Sequence, residues 1–222
     1  MKSVESTRRT FLKTTGTMAA GLAFAGNVSA QGSTEKLAIQ GGPKAVTVPD
    51  SDAARWPRYG EAEEQAVLEL VRRPTYDPIA GLEEDWKSHF GVPFAKAHFN
   101  GTSALASMFF ALNLPPGSEI MVPSYTFFAT IVPMRLFGLV PVFVDINPQT
   151  LNLDLNDAKK RLTKDTKAIL PVHWIGLPAD MDEINDWAHE KGLIVLEDSA
   201  HAHGAKLKGK YTGSWSRMAI YS

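Results

Sequence analysis

The sequence predicts an α/β fold, a mostly parallel sheet sandwiched by helices. Short apolar, largely β-branched runs (Glu119–Pro123, Val140–Val144, Ala168–Val172 and Leu193–Leu196) alternate with stretches of helical periodicity, the pattern of a sheet covered by helices. The run Leu193–Leu196 shows no polar alternation at all, as expected of a strand buried on both faces. Residues able to do chemistry gather where such runs end, and in open α/β sheets the carboxyl ends of strands are where ligands bind. These are Asn100-Gly101-Thr102-Ser103, Tyr125 to Thr130, and Asp198 with His201.

Composition narrows the function classes. The 222 residues are 44% hydrophobic and 21% charged, enough for one sizeable core. A formal net charge of −1 gives no basic footprint, so nucleic acid is not an expected partner. With no cysteine there is no disulfide framework, thiolate zinc site or cysteine nucleophile. The first thirty residues differ from the rest. Arg8-Arg9-Thr10-Phe11-Leu12-Lys13 precedes a charge-free, Ala/Gly-rich run from Thr14 to Gly26 and a small-residue cleavage pattern, Val28-Ser29-Ala30. We read residues 1–30 as a twin-arginine signal peptide and expect export to the periplasm or beyond, with no membrane span left after cleavage. That route carries folded proteins, often with a cofactor already bound, which hints at a cofactor here.

Taken in order, residues 31–60 read as an extended arm, with Gly41-Gly42-Pro43, Pro49 and Trp56-Pro57 and little periodicity. The third segment, 61–222, carries the sheet. Ala62, Ala66, Val67, Leu70 and Val71 recur at helical spacing, predicting an amphipathic helix over Gly60–Arg73 that Pro74 stops. A second helix is predicted near Leu82–Phe90, with Leu82, Trp86 and Phe90 in the core. Ala95–Phe99 reads as a short strand, followed by a helix to Leu112 whose core face is Leu105, Met108, Phe109 and Leu112. Beyond the strand Glu119–Pro123, Ile131–Phe137 reads as helical. Helices are further predicted over Asp154–Arg161 and over Asp180–Glu190, the latter capped by Asp180. No G-x-G-x-x-G follows a strand, so no nicotinamide cofactor is expected.

A strand, a glycine turn and hydroxyl residues at a helix start make a phosphate cradle, since free N–H groups and the helix dipole both favour an anion. By the same local evidence, Thr102 or Ser103 could simply cap the helix, and Asp198 could cap a turn. A cradle, an aromatic at a second strand end and a carboxylate at a third are together what pyridoxal phosphate needs. The carboxylate keeps the pyridine nitrogen protonated, and an aromatic stacks on the ring.

Five ordered stretches, Asn100–Leu105, Val122–Thr130, Pro141–Asp145, Val172–Asp180 and Glu197–Ala205, resemble the DegT/StrS family of pyridoxal-phosphate-dependent sugar aminotransferases. The likeness runs from about Leu37 to Ser222. It implies the large domain of a fold-type-I transferase, incomplete over 61–222, with pyridoxal 5'-phosphate as cofactor. Thr102 and Ser103 would then hold the phosphate, Phe127 would stack on the ring with Tyr125 as the lesser candidate, and Asp198 would pair with the pyridine nitrogen. His201 would reach the cofactor's phenolic oxygen or nearby polar atoms, and Ser222 matches a serine that contacts the phosphate. His173 matches a family histidine near the site, where a satisfied structural histidine is an equal reading.

The resemblance also implies an amino-acid donor, a sugar-like small-molecule substrate and a homodimer in the complete protein. The family's Schiff-base lysine lies a few residues beyond the serine matched by Ser222, the last residue here, so we assign no catalytic residue. Lys206, Lys208 and Lys210 match a surface hairpin and are not promoted in its place. The alternative is a lysine-free relative, a sugar dehydratase or a cofactor-binding protein without transamination. A metal site at His201 and His203 with Asp198 is a third reading, since histidine and carboxylate suit zinc.

Overall fold

The computed structural model describes residues 36–44, 47 and 59–222; the twin-arginine segment and most of the arm lie outside the described residues. The chain divides into two compact units, 1–66 and 67–222. Among the described residues of the first, Ala38–Gln40 forms one 3-10 turn, ended by Gly41 in the left-handed region (φ 88°). Helix α1 spans Glu61–Arg72, with Glu61, Glu63 and Glu64 in its first turn and Arg72 in its last, charges that suit the helix dipole. Its apolar residues Val67, Leu70 and Val71 are exposed.

In the second unit, helix α2 (Asp77–Phe90) carries a proline in its first turn and ends at Gly91 in the left-handed region. Phe90 is buried and stacks with Trp86 at 4.8 Å between ring centroids. Leu82, expected in the core, is 52% exposed, so the stripe is buried only toward the carboxyl end of the helix. Ala95–Phe99 forms no strand. The Ala97 N–H donates to the Glu83 carboxylate, which Lys96 also approaches at 2.8 Å, and these bonds pin the segment to α2 instead of a sheet. Phe99 is left in solvent.

Helix α3 (Gly101–Leu112) leads to β1 (Glu119–Pro123). The stretch expected to be helical is a 3-10 segment, Val132–Phe137, with Pro133 at its start and Gly138 at its end. Then follow β2 (Val140–Val144), α4 (Leu155–Arg161), β3 (Thr166–Ile169), α5 (Met181–Lys191) and β4 (Ile194–Asp198). A small hairpin, β5 (Lys206–Leu207) with β6 (Lys210–Tyr211), precedes β7 (Met218–Ile220). Strand β3 starts two residues before its expected position, and Leu170 continues toward β1 through one bond to the Met121 carbonyl. Asp154 caps α4 with its side chain, whereas Asp180 stands at the start of α5 without a capping bond.

The main sheet has the order β2-β1-β3-β4-β7, with every neighbouring pair parallel. Successive side chains of a strand point to opposite faces, and the two cores divide accordingly. Ile120, Val122, Ala168, Leu170 and Leu196 pack with Leu105, Met108 and Phe109 of α3. Met121, Ile169 and Val195 pack with Met181, Ile184 and Trp187 of α5. Helices therefore cover both faces, and the parallel order brings the strands' carboxyl ends to one side.

Candidate functional site

Helix α3 begins beside the end of β7. Asn100 is its cap: the Asn100 side chain accepts from the Ser103 N–H at 2.9 Å, and the Asn100 N–H donates to the Ser103 hydroxyl at 3.2 Å. Ser103 also donates its hydroxyl to the Asn100 carbonyl at 2.8 Å, so both its polar groups serve the capping box. Thr102, next in the first turn, is exposed, and among the described residues its hydroxyl makes no hydrogen bond. The Gly101 N–H donates to the Ser222 hydroxyl at 3.3 Å. A methyl group at position 101 would lie 2.6 Å from the Ser222 Cβ, so this close approach requires glycine.

Asp198 closes β4 opposite Ile220 of β7, two residues before Ser222. It is buried, accepts from the Thr130 hydroxyl at 2.8 Å through Oδ2 and from the Ala200 N–H at 3.1 Å through Oδ1. Burial raises its carboxyl above the ordinary range, partly opposed by these two bonds and by the nearby His173 and His201. A carboxylate offers about four acceptor positions, so Asp198 retains capacity toward a further donor.

The loop after β1 carries the aromatic candidates. Phe127 and Phe128 are both exposed, with ring centroids 4.4 Å apart. The 3-10 turn Phe128–Thr130 closes through the Thr130 N–H on the Phe127 carbonyl, so one turn both presents Phe127 and buries Thr130 against Asp198. Tyr125 faces another group: its ring lies 4.5 Å from Trp174, which lies 5.4 Å from the exposed His201. Trp174 is followed by Ile175 at φ 48°, ψ 36°, an unusual conformation for a β-branched residue.

His173 is fully buried. Its Nδ1 accepts from the Ala179 N–H at 3.0 Å, so its proton sits on Nε2, which donates to Glu197 at 3.0 Å. Glu197 further accepts from the Gly213 and Trp215 N–H groups and from the Ser216 hydroxyl. The adjacent carboxylates thus separate by role, with Glu197 satisfied inside the fold and Asp198 open toward the strand ends. Tyr221, whose hydroxyl donates to the Thr212 carbonyl, has its pKa raised by burial and then by the Glu197 charge.

Of the residues expected at a site, the structure joins Thr102 and Ser103 to Ser222 through Gly101, and ties the Phe127 turn to Asp198 through Thr130. The two histidines of the metal reading diverge, His201 toward Trp174 and His203 toward Trp86 and Tyr221. Among the described residues no three His, Cys, Asp or Glu side chains gather as metal ligands. Thr130 lies in the Tyr125 to Thr130 stretch that the sequence marks, but its bond to Asp198 has no sequence signal beyond a hydroxyl at that position.

Pyridoxal phosphate pairs an anion with a basic ring nitrogen, and the residues present fit both ends. The free Thr102 hydroxyl, Ser222 and the first turn of α3 suit the phosphate; a buried carboxylate with spare acceptor capacity suits the pyridinium. An open parallel sheet with these two features suits the class of α/β transferases that use this cofactor. The family model described as the DegT/DnrJ/EryC1/StrS aminotransferase family matches residues 58–222, and the chain belongs to that family.

Among its relatives, 3-amino-5-hydroxybenzoate synthase of Amycolatopsis mediterranei is 34% identical over 172 residues, 75% of this chain and 44% of that protein. A crystal structure of 3-amino-5-hydroxybenzoic acid synthase superposes with a TM-score of 0.72 at 34% identity, over 76% of this chain and 45% of the other. GDP-perosamine synthase of Escherichia coli O157:H7 is 37% identical over 65% of this chain and 40% of its own length. Escherichia coli GDP-4-keto-6-deoxy-D-mannose-3-dehydratase, solved with bound hydrated PLP, superposes with a TM-score of 0.69 at 31% identity, over 74% of this chain and 44% of its own. The chain spans less than half the length of each of these relatives.

Proposed function

We propose that this chain forms the cofactor-binding part of a pyridoxal-phosphate-dependent aminotransferase that moves an amino group from an amino-acid donor to a keto-sugar or similar carbonyl substrate. The observation that carries the reading is Asp198, a buried carboxylate held by Thr130 and Ala200 at the carboxyl end of β4. Asp198 would hold the proton of the pyridine nitrogen, Thr102 and Ser222 would take the phosphate at the start of α3, where the Ser103 hydroxyl is committed to the helix cap, and Phe127 would cover one ring face. His201, exposed beside Trp174, would reach the cofactor's phenolic oxygen or nearby polar atoms. When bound, the cofactor supplies an electron sink for the carbon that carries the amino group. The reading extends to a homodimer in the complete protein and to export by the twin-arginine route, supported by Arg8-Arg9 and the run that follows.

A second reading, a sugar dehydratase, is favoured by the match to the 3-dehydratase. The chain spans less than half the length of its relatives, so catalysis is assayed on the full-length protein. With glutamate and a nucleotide-linked keto-sugar, amino transfer yields 2-oxoglutarate and an aminated sugar, whereas the dehydratase reading yields a deoxygenated, non-aminated one. Cofactor binding is tested on the chain itself by titration with pyridoxal phosphate. Asp198→Asn is expected to raise Kd by about tenfold or more, the worth of one hydrogen bond to a charged group. Equal affinity in the variant would overturn the assignment of Asp198.

A further inference from the structure

We infer that Thr130, backed by Thr126, is the positioning residue that keeps the Asp198 carboxylate oriented and ionised, linking its state to the turn that presents Phe127. The inference rests on the cofactor reading of Asp198. An ionised carboxylate only accepts, so the single Thr130 hydroxyl proton is given to Asp198 Oδ2 at 2.8 Å. Thr126 and Thr130 have their hydroxyl oxygens 2.9 Å apart, and with the Thr130 proton committed, Thr126 must be the donor between them. The bonds therefore run one way, from Thr126 to Thr130 to Asp198.

Thr130 is almost wholly buried, and Thr126 is half-buried. In that setting a bond to a charged acceptor is stronger than in water. The remaining groups around Asp198 leave Thr130 the larger share of the work. Ala200 N–H takes the other oxygen at 3.1 Å, and His173 gives its backbone N–H to the Asp198 carbonyl, not to the carboxylate. His201 and the His173 ring act on Asp198 only through space, and the Glu197 carboxylate is occupied by its own donors. The Thr130 backbone N–H bonds the Phe127 carbonyl at 3.0 Å, so any shift of Thr130 off Asp198 also moves the turn that carries Phe127.

The test compares the wild-type chain with Thr130→Val, which keeps the shape and removes the hydroxyl, Thr130→Ser, which keeps the hydroxyl, and Asp198→Asn. Two quantities are read. The first is the midpoint of the Asp198 carboxyl titration in the ligand-free chain, followed by carbon NMR. The second is Kd for pyridoxal phosphate. The expected result is an upward midpoint shift and about a tenfold weaker Kd in Thr130→Val, with both near wild type in Thr130→Ser. A role confined to packing would leave the midpoint near that of the wild type, because Thr130→Val keeps the shape that buries Asp198 and Thr130→Ser, which restores the hydroxyl, separates the lost bond to the charged form from any change in burial. An unmoved midpoint, or a moved midpoint with unchanged Kd, overturns the inference. Asp198→Asn binding as tightly as wild type overturns the reading of Asp198 instead. Should Thr130→Val fail to fold, Thr126→Val is expected to move both quantities the same way by a smaller factor, and no movement there overturns the inference equally.

Discussion

Asp198 binds a price to its position. A carboxyl raised by burial is protonated in both states at low pH, and on raising the pH the unfolded chain releases its proton first. The stability this group contributes is therefore full below the ordinary carboxyl range and declines as pH rises through that range to the folded value. Above it the fold holds a desolvated charge that no described cation neutralises by direct contact. Asp198→Asn removes that charge while its amide can still bond Thr130 or accept from Ala200. The variant is expected to melt higher than the wild type at about pH 7 without ligand, and the gap is expected to close near about pH 4, within the ordinary carboxyl range. Calorimetry at the two pH values checks this, and a lower melting temperature for the variant at neutral pH would contradict it. A substitution that stabilises the empty chain while weakening cofactor binding is what a site residue, as opposed to a structural one, should give.

At the level of elements, Glu197 joins β4 to the turn that feeds β7. It takes N–H groups from Gly213 and Trp215, the Ser216 hydroxyl and the His173 Nε2–H. Glu197→Ala strands these donors in the interior, each worth about 1–3 kcal/mol when left unpaired, and the expected loss is about 4 kcal/mol after partial relaxation. Urea unfolding measures it; a loss under about 1 kcal/mol would mean that the turn finds other partners. Sequence made the strand legible but not this division of labour. The apolar run Leu193–Leu196 announces a buried strand, yet two neighbouring carboxylates look alike until strand alternation sends them to opposite sides. The partners that decide their roles lie far off in the chain, Thr130 for Asp198 and the Gly213–Ser216 turn for Glu197. Ala95–Phe99 fails for the converse reason. Its residue types suit a strand, but Glu83 claims its Ala97 N–H and no neighbouring strand is there to pair. The Asn100–Ser103 sequence suits both a helix cap and a phosphate cradle, and the structure realises the cap with Asn100 and Ser103 while leaving the Thr102 hydroxyl free.

Across the 67–222 unit, the site depends on segments that meet only through the completed sheet. Gly101 and Ser222 are 121 residues apart, and Thr130 and Asp198 are 68 apart. The β4–β7 pairing is what connects the phosphate end to the carboxylate end, since Asp198 faces Ile220 and Ser222 follows on. If one cofactor bridges both ends, parts of it should report on each end separately. Gly101→Ala drives a methyl group into Ser222 and spoils the phosphate end; Asp198→Asn spoils the pyridine end. A ligand at a hundred times its Kd stabilises the folded chain by about 2.7 kcal/mol, enough to follow as a thermal shift. Inorganic phosphate is expected to stabilise the wild type and Asp198→Asn alike and to lose its effect in Gly101→Ala. Pyridoxal without its phosphate is expected to behave the opposite way, sensitive to position 198 and indifferent to position 101. Pyridoxal phosphate alone should need both, with each substitution lowering its shift. A pyridoxal phosphate shift that survives both substitutions would place the cofactor elsewhere, whereas one lost in Gly101→Ala but kept in Asp198→Asn would reduce the site to an anion cradle at the start of α3.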